Sequence, residues 1–285
     1  MEPQISTIAV LGGGTMGRGI AHVSALAGYE THLYDTSAEA LKKAEASIHK
    51  NLDKGVELKK VDAGAAERAK SGLHLSHDLA GAVAKADLVI ESVPESMGLK
   101  IEAFRACALH APGHALFASN TSALSVTEIA AATSSADRVV GMHFFNPAPV
   151  LPLVEVVVGD RTSASVAERV REFAEAIGKR PVVCPDRPGF VVNRILIPLL
   201  NDCVRLHEQG GISADDLDQA MTAGLNWPIG PLRLIDLIGA DVHVHASEAL
   251  WQAYREPRFA PPPSLVRMVE SGRLGRKAGA GFYTY

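Results

Sequence analysis

Cysteine is scarce in this sequence: Cys107, Cys184 and Cys203 are the only three in 285 residues, far apart and without a CxxC pair. So low and odd a count excludes a disulfide-built secreted scaffold and leads us to expect a reduced, cytoplasmic protein without a metal centre. Long apolar runs are missing too. None approaches the roughly 20 residues that cross a bilayer. The opening MEPQISTIAVLGGG lacks the basic start, apolar stretch and cleavage site of a secretory leader. Positive charge is not in excess. A formal net charge of −4 gives no electrostatic footprint for nucleic acid or an anionic membrane, and neither is expected as a partner. Internal repeats and low-complexity tracts are also absent.

Apolar residues are plentiful, 47% of the chain, enough to bury one large core or a large and a smaller one. Over the first 185 or so residues, short runs rich in Val, Ile and Leu (STIAVLG, ETHLYD, ADLVIESV, ALFASN, RVVGMHF, LVEVVV) alternate with Ala-, Lys- and Glu-rich stretches such as residues 37–58 and 98–109. The first read as buried strands and the second as helices. That alternation predicts an α/β fold with a Rossmann-type, doubly wound parallel sheet over residues 1–185. From RPGF onward the strand signal fades, and residues 186–285 are expected to form a smaller, all-helical domain. Its first helix, FVVNRILIPLLNDCVRLHEQGG, should be interrupted at Pro198 and ended by Gly210 and Gly211, with Ser213 capping the next.

VLGGGTMGRG places Gly12-x-Gly14-x-x-Gly17 directly after a strand and ahead of a helix, with Thr15 and Met16 between the last two glycines. Such a loop lets the backbone approach a pyrophosphate, which the helix N-terminus then binds. Three glycines can equally make a simple turn. Asp35, at the end of the second strand, favours the dinucleotide reading, because an acidic residue there can hydrogen-bond the ribose hydroxyls. Thr36 and Ser37 follow, where an NADP enzyme more often has arginine. NAD is the expected cofactor.

His143 closes one apolar run and Glu155 lies inside the next, positions where buried strands seldom carry ionisable groups. A buried carboxylate is costly unless a donor meets it. A carboxylate on one imidazole nitrogen fixes the tautomer and makes the ring a general base for an alcohol. A His–Glu pair without chemistry is the competing reading, and the expected position at the carboxyl ends of sheet strands favours the first. ASNTSAL presents Ser119, Asn120, Thr121 and Ser122 as a strand ends, with Ser119 and Thr121 reading as ordinary caps. Asn193, among Val192, Ile195 and Ile197, is either solvated, a backbone cap, or a contact to a substrate oxygen.

Taken in order, GGGTMGRGIA, SNTS, GMHFFNPAP, LVEV, PGFVVNRILIP, GPLRLIDLIG and GRKAGAGFY resemble the L-3-hydroxyacyl-CoA dehydrogenase family across essentially the whole chain, nearest to its stand-alone bacterial 3-hydroxybutyryl-CoA dehydrogenase branch. The resemblance implies an NAD-binding first domain and a second domain for substrate and dimerisation. It implies NAD-dependent oxidation of a (3S)-3-hydroxyacyl-CoA to the 3-oxoacyl-CoA, and the reverse, a reaction of fatty-acid metabolism among other pathways. His143 and Glu155 then form the catalytic pair, with Ser122 and Asn193 on the substrate. Cofactor contacts fall to Gly12, Gly14, Thr15, Met16, Gly17, Asp35, Glu95, Lys100, Ser122, Asn146 and Lys277. The tail bearing Lys277 is accordingly expected to matter more for turnover than for folding.

Coenzyme A contacts fall within residues 47–60, where Asn51 matches. Lys42, Lys43, Lys50, Lys54, Lys59 and Lys60 flank it, most of them reading as a solvated face. Pro94, before Glu95, departs from the family pattern and leaves the local backbone open. Competing readings are the L-gulonate dehydrogenase and lambda-crystallin branch, which has HPxNPP where this chain has HFFNPAP, and the 3-hydroxyisobutyrate type, which needs a lysine where Asn193 stands. A non-catalytic NAD-binding protein is the alternative of another class.

Overall fold

A computed structural model describes residues 4–285; the start of the MEPQ stretch lies outside the described residues. The chain divides into two compact units, one ending at Arg187 and the other spanning Pro188–Tyr285.

The first unit holds one sheet built of β1 (Thr7–Leu11), β2 (Glu30–Tyr34), β3 (Leu73–Ser76), β4 (Leu88–Glu91), β5 (Leu116–Ser119), β6 (Val139–Phe144), β7 (Leu153–Val158) and β8 (Arg180–Pro185). Around it lie α1 (Thr15–Leu26), α2 (Ala38–Glu57), α3 (Ala63–Ser71), α4 (Leu79–Val83), α5 (Met97–Ala108), α6 (Val126–Ala131) and α7 (Ala164–Ala176). The strand order is β3-β2-β1-β4-β5-β6-β7-β8, with parallel pairing from β3 through to β6. The central strands are apolar on both faces because helices cover both. Ile8, Val10, Leu33, Ile90, Val140 and Val156 pack in one core with Ile20 of α1, Leu41 and Ile48 of α2, and Phe173 of α7. Chain order reverses at β1, which lies between β2 and β4. Ligands of doubly wound folds bind beyond the strand ends at such a switch point.

The sheet departs from the expected all-parallel form at one place. β7 runs antiparallel to β6, and β8 is parallel to β7. The link over residues 145–152 is shorter than the dozen or so residues that a parallel crossover needs. Two strands went unread in the sequence, β3 and β8, and both are sheet edges. β8 reads RPVVCP, and its prolines are tolerated because an edge strand leaves one row of amides unpaired.

The second unit is helical: α8 (Val192–Glu208), α9 (Ala214–Leu225), α10 (Pro231–Ile238), α11 (Ala240–Tyr254) and α12 (Pro263–Glu270). Leu200, Val204, Leu217, Leu232, Ile235 and Leu265 form its core. Helix α8 is not interrupted at Pro198, which is buried inside it. A proline there removes one helical hydrogen bond, and the packed turns on either side carry the helix past it. Ser213 caps α9 by accepting from the Asp216 amide, as expected. Among the described residues no helix is long and apolar enough to cross a membrane.

Candidate active site

The glycine loop leaves β1 at the switch point. Gly12 has φ +100, a conformation that favours glycine, and a Cβ on it would lie 2.7 Å from the Ser92 carbonyl oxygen at the end of β4. At Gly17 a Cβ would lie 1.8 Å from the Gly12 carbonyl oxygen, so only glycine lets α1 pack against the loop. Gly14, the N-cap of α1, faces open space and offers no capping side chain, and the first turn of the helix carries no acidic residue. Thr15 is exposed there, while Met16 packs against the core. Asp35, just past β2, accepts from the Gly13 amide at 2.7 Å and the Ser37 amide at 2.8 Å. A carboxylate has about four acceptor positions, so a half-buried Asp35 retains capacity for ribose hydroxyls. Bare helix amides, a close-approach glycine and an anchored carboxylate together fit a dinucleotide.

Three strands along, β6 and β7 set His143 directly opposite Glu155 in antiparallel register. The imidazole Nδ1 lies 2.7 Å from Glu155 Oε2, and the two residues are only 6% and 1% exposed. The reversal of β7 produces this pairing. The carboxyl end of β6 meets the amino end of β7, so a short link suffices to bring base and carboxylate together. The Phe145 ring packs on the imidazole with centroids 4.5 Å apart. Asn120 ties the strand ends into one another: its side-chain carbonyl accepts from the Phe144 amide at 2.9 Å, and its amide donates to Ser92 Oγ at 3.2 Å. The loop after His143 is fixed from below by Lys179, which donates to the Ala148 and Leu151 carbonyls.

The SNTS turn rests on a buried charge cluster. Glu95 Oε1 accepts from Thr121 Oγ1 at 2.7 Å, from the Ser122 amide at 2.8 Å, and from Ser122 Oγ and the Ala123 amide at 3.2 Å each. Its other oxygen meets the Lys100 ammonium at 3.2 Å. Lys100 is fully enclosed; it reaches both Glu91 oxygens at 3.0 Å and the Val93 carbonyl at 3.4 Å. Glu91 ends β4 opposite Ser119 of β5, whose hydroxyl also donates to it. Burial raises the Glu91 pKa against the opposing pull of Lys100 and Ser119. At Glu95 burial also works against the charge, yet Lys100 and the donors on Thr121 and Ser122 prevail and hold its carboxyl below the usual range. The sequence reading missed Glu91 as a participant, although it closes an apolar run just as His143 does. Ser119 and Thr121 do cap locally, accepting from the Thr121 amide and from the Ala123 and Leu124 amides respectively, and in addition donate to carboxylates more than 20 residues away.

The remaining expected site residues lie on other elements. Asn146 is exposed beyond β6, preceding a cis bond to Pro147. Asn51 lies on the exposed side of α2, away from the buried Leu41, Ala44, Ile48 and Leu52. In the second unit, Asn193 is half-buried in the first turn of α8. Lys277 is exposed and paired with Asp241 at 2.6 Å. Burial pushes the Cys107 thiol up to about 12, and those of Cys184 and Cys203 to about 11, so none is primed as a nucleophile.

A doubly wound sheet with a dinucleotide loop at its switch point defines an NAD-binding oxidoreductase class, and a buried His–Glu pair near the same strand ends suits the oxidation of an alcohol. Comparison with known proteins narrows the class. Residues 7–187 match the 3-hydroxyacyl-CoA dehydrogenase NAD binding domain, and residues 189–285 match the C-terminal domain of the same family. The 3-hydroxybutyryl-CoA dehydrogenase of Mycobacterium tuberculosis is 42% identical over the full length of both chains. Human mitochondrial hydroxyacyl-coenzyme A dehydrogenase is 40% identical, over 99% of this chain and 91% of its own. The crystal structure of (S)-3-hydroxybutyryl-CoA dehydrogenase PaaH1 from Ralstonia eutropha superposes with a TM-score of 0.96 at 37% identity, covering 99% of each chain. The chain belongs to the 3-hydroxyacyl-CoA dehydrogenase family, and its first unit is that family's NAD-binding domain.

Proposed function

We propose that the protein oxidises (3S)-3-hydroxyacyl-CoA substrates, 3-hydroxybutyryl-CoA among them, to 3-oxoacyl-CoA with NAD, and runs the reverse reduction. The observation that carries this reading is the buried contact of His143 Nδ1 with Glu155 at 2.7 Å. With Nδ1 engaged by the carboxylate, Nε2 is the atom that takes the 3-hydroxyl proton during oxidation and returns it during reduction. Glu155 holds the tautomer and stabilises the imidazolium that forms. NAD, when bound, supplies the hydride acceptor at the substrate's C3. Ser122 and Asn193 hold substrate oxygens. Gly12, Gly14, Thr15, Met16 and Gly17 take the pyrophosphate and Asp35 the ribose, with Glu95, Lys100, Asn146 and Lys277 completing the cofactor's surroundings. Asn51 and neighbouring lysines of α2 meet coenzyme A.

We also infer a homodimer formed through the helical unit and action in the cytoplasm. Ile195 and Leu206 of α8 are 62% and 54% exposed, an apolar face that a second copy would cover. The three thiols are all free, as a reducing compartment keeps them. The test of the activity is NADH consumption, followed by absorbance, with acetoacetyl-CoA as substrate. Turnover that prefers NADH to NADPH and yields the 3S alcohol supports the reading. A folded, NADH-binding protein that leaves acetoacetyl-CoA unchanged but oxidises L-gulonate would replace it.

A further inference from the structure

Ser122 sits on an irregular turn between β5 and α6, where no ladder or helix fixes its backbone. Its amide and hydroxyl, with the Ala123 amide and Thr121 hydroxyl, converge on a single oxygen, Glu95 Oε1. A carboxylate that gathers four donors orders the turn only if it is itself immobile. Glu95 follows Pro94 in the loop after β4, outside any element, and its side chain is 34% exposed. Its backbone is held in a tight turn, the Ser96 amide donating to the Pro94 carbonyl at 2.7 Å, but that turn does not fix the side chain. The restraint comes from Lys100, at 3.2 Å from the second oxygen.

Lys100 in turn is no free cation. Its ammonium has three protons and four acceptors around it: two oxygens of Glu91, the Val93 carbonyl and Glu95. Its side chain is 1% exposed. A lysine so enclosed would be costly without the facing carboxylate of Glu91, which is itself fully buried at the end of β4. Glu91 thus joins the sheet to the irregular turn. Strand β4 fixes Glu91, Glu91 fixes Lys100, Lys100 fixes Glu95, and Glu95 fixes the turn.

We propose that Glu91, which is shut off from any ligand, is a positioning residue for Ser122, acting through Lys100 and Glu95. The same geometry makes Lys100 a positioning residue whose effect on substrate and cofactor passes through Glu95. The proposal rests on the dehydrogenase reading for its kinetic consequence, though not for its structural one.

The test combines kinetics with amide exchange. Lys100→Met alone strands Glu91 as a buried charge and is apt to fail in folding. The double variant Glu91→Gln/Lys100→Met removes both charges of the fully buried pair at nearly the same volume, leaving only Glu95, whose side chain is 34% exposed. It should remain folded by thermal unfolding, exchange the amides of residues 121–124 faster, and keep those of β6 protected. Its kcat with acetoacetyl-CoA should fall by about 10²-fold, the loss that follows a misplacement of around 1 Å. Adding Ser122→Ala to it should lose little beyond what Ser122→Ala loses in the wild-type background, since both act on one group. Losses that multiply, or an exchange rate for residues 121–124 equal to wild type, would overturn the proposal. If the wild-type protein turned over no acyl-CoA, the dehydrogenase reading would fail on that count, and the exchange measurement would decide the positioning role alone.

Discussion

Single buried residues determine how this protein responds to pH. His22 in α1 and His243 in α11 are 6% and 1% exposed, and each has an Nδ1 with no hydrogen-bond partner in the structure. Burial lowers the pKa of both from 6.5 to about 4, with the charge of Lys179 adding to the effect at His22. In the folded protein they stay neutral, whereas in the unfolded chain they take up protons near 6.5. Stability is therefore complete above about pH 6.5, lost progressively as pH falls through that window, and level again below about 4. The full loss is roughly 3 kcal/mol for each histidine. Asp87 and Glu95, held below the usual carboxylate range, add losses at the acid end. His243 donates through Nε2 to Asn201 at 2.9 Å, so His243→Gln keeps a donor while removing the titration. We expect denaturant midpoints of that variant to fall less steeply between pH 6.5 and 4 than those of wild type; parallel slopes would discount His243.

Whole elements were legible where apolar patterning was strong and became illegible where the fold supplied the constraint. The six strands read from Val- and Ile-rich runs are all present. β3 and β8 escaped because edge strands need neither continuous burial nor every amide. The antiparallel turn of β7 is implicit in the short link before it, but apolar runs carry no direction. His143 and Glu155 could be paired by chemistry in advance, whereas the Glu91–Lys100 contact needed the β4–α5 turn to bring Lys100 back onto the strand end. The C-terminal segment shows a further limit. GAGFYTY has too few residues for a periodic pattern, yet Asp236 accepts from the Phe282 and Tyr283 amides at 2.9 Å each, and Asp218 from the Tyr283 hydroxyl at 2.8 Å. Phe282 and Tyr283 pack on the core of the helical unit. The tail is thus packed into the helical unit as a fold element, which gives its removal a cost in stability. Asp236→Ala should destabilise the protein by roughly 2–3 kcal/mol, since it strips a charged acceptor from two half-buried amide donors. It should also hasten tryptic cleavage at Arg276 and Lys277. An unchanged urea midpoint would remove the tail from the account of stability.

At the scale of the whole molecule, the chain combines the NAD-binding domain and the C-terminal domain of the 3-hydroxyacyl-CoA dehydrogenase family. Fold and family were evident from the ordered motifs because each motif marks a place where backbone or charge has few alternatives: a close-approach glycine, a buried carboxylate, a capped turn. The support around those places was not evident, since Asn120, Lys179 and Glu91 are ordinary residues until the strand ends are brought together. The central claim is that His143 and Glu155 act as one unit, and a double-mutant cycle on kcat in the intact enzyme tests it most directly. His143→Ala should lower kcat by about 10²–10⁴-fold, the usual range for a general acid–base group, with NADH affinity nearly unchanged. Glu155→Gln should lower it strongly as well, and the double variant should lose far less than the product of the two. Losses that multiply in full would contradict the account.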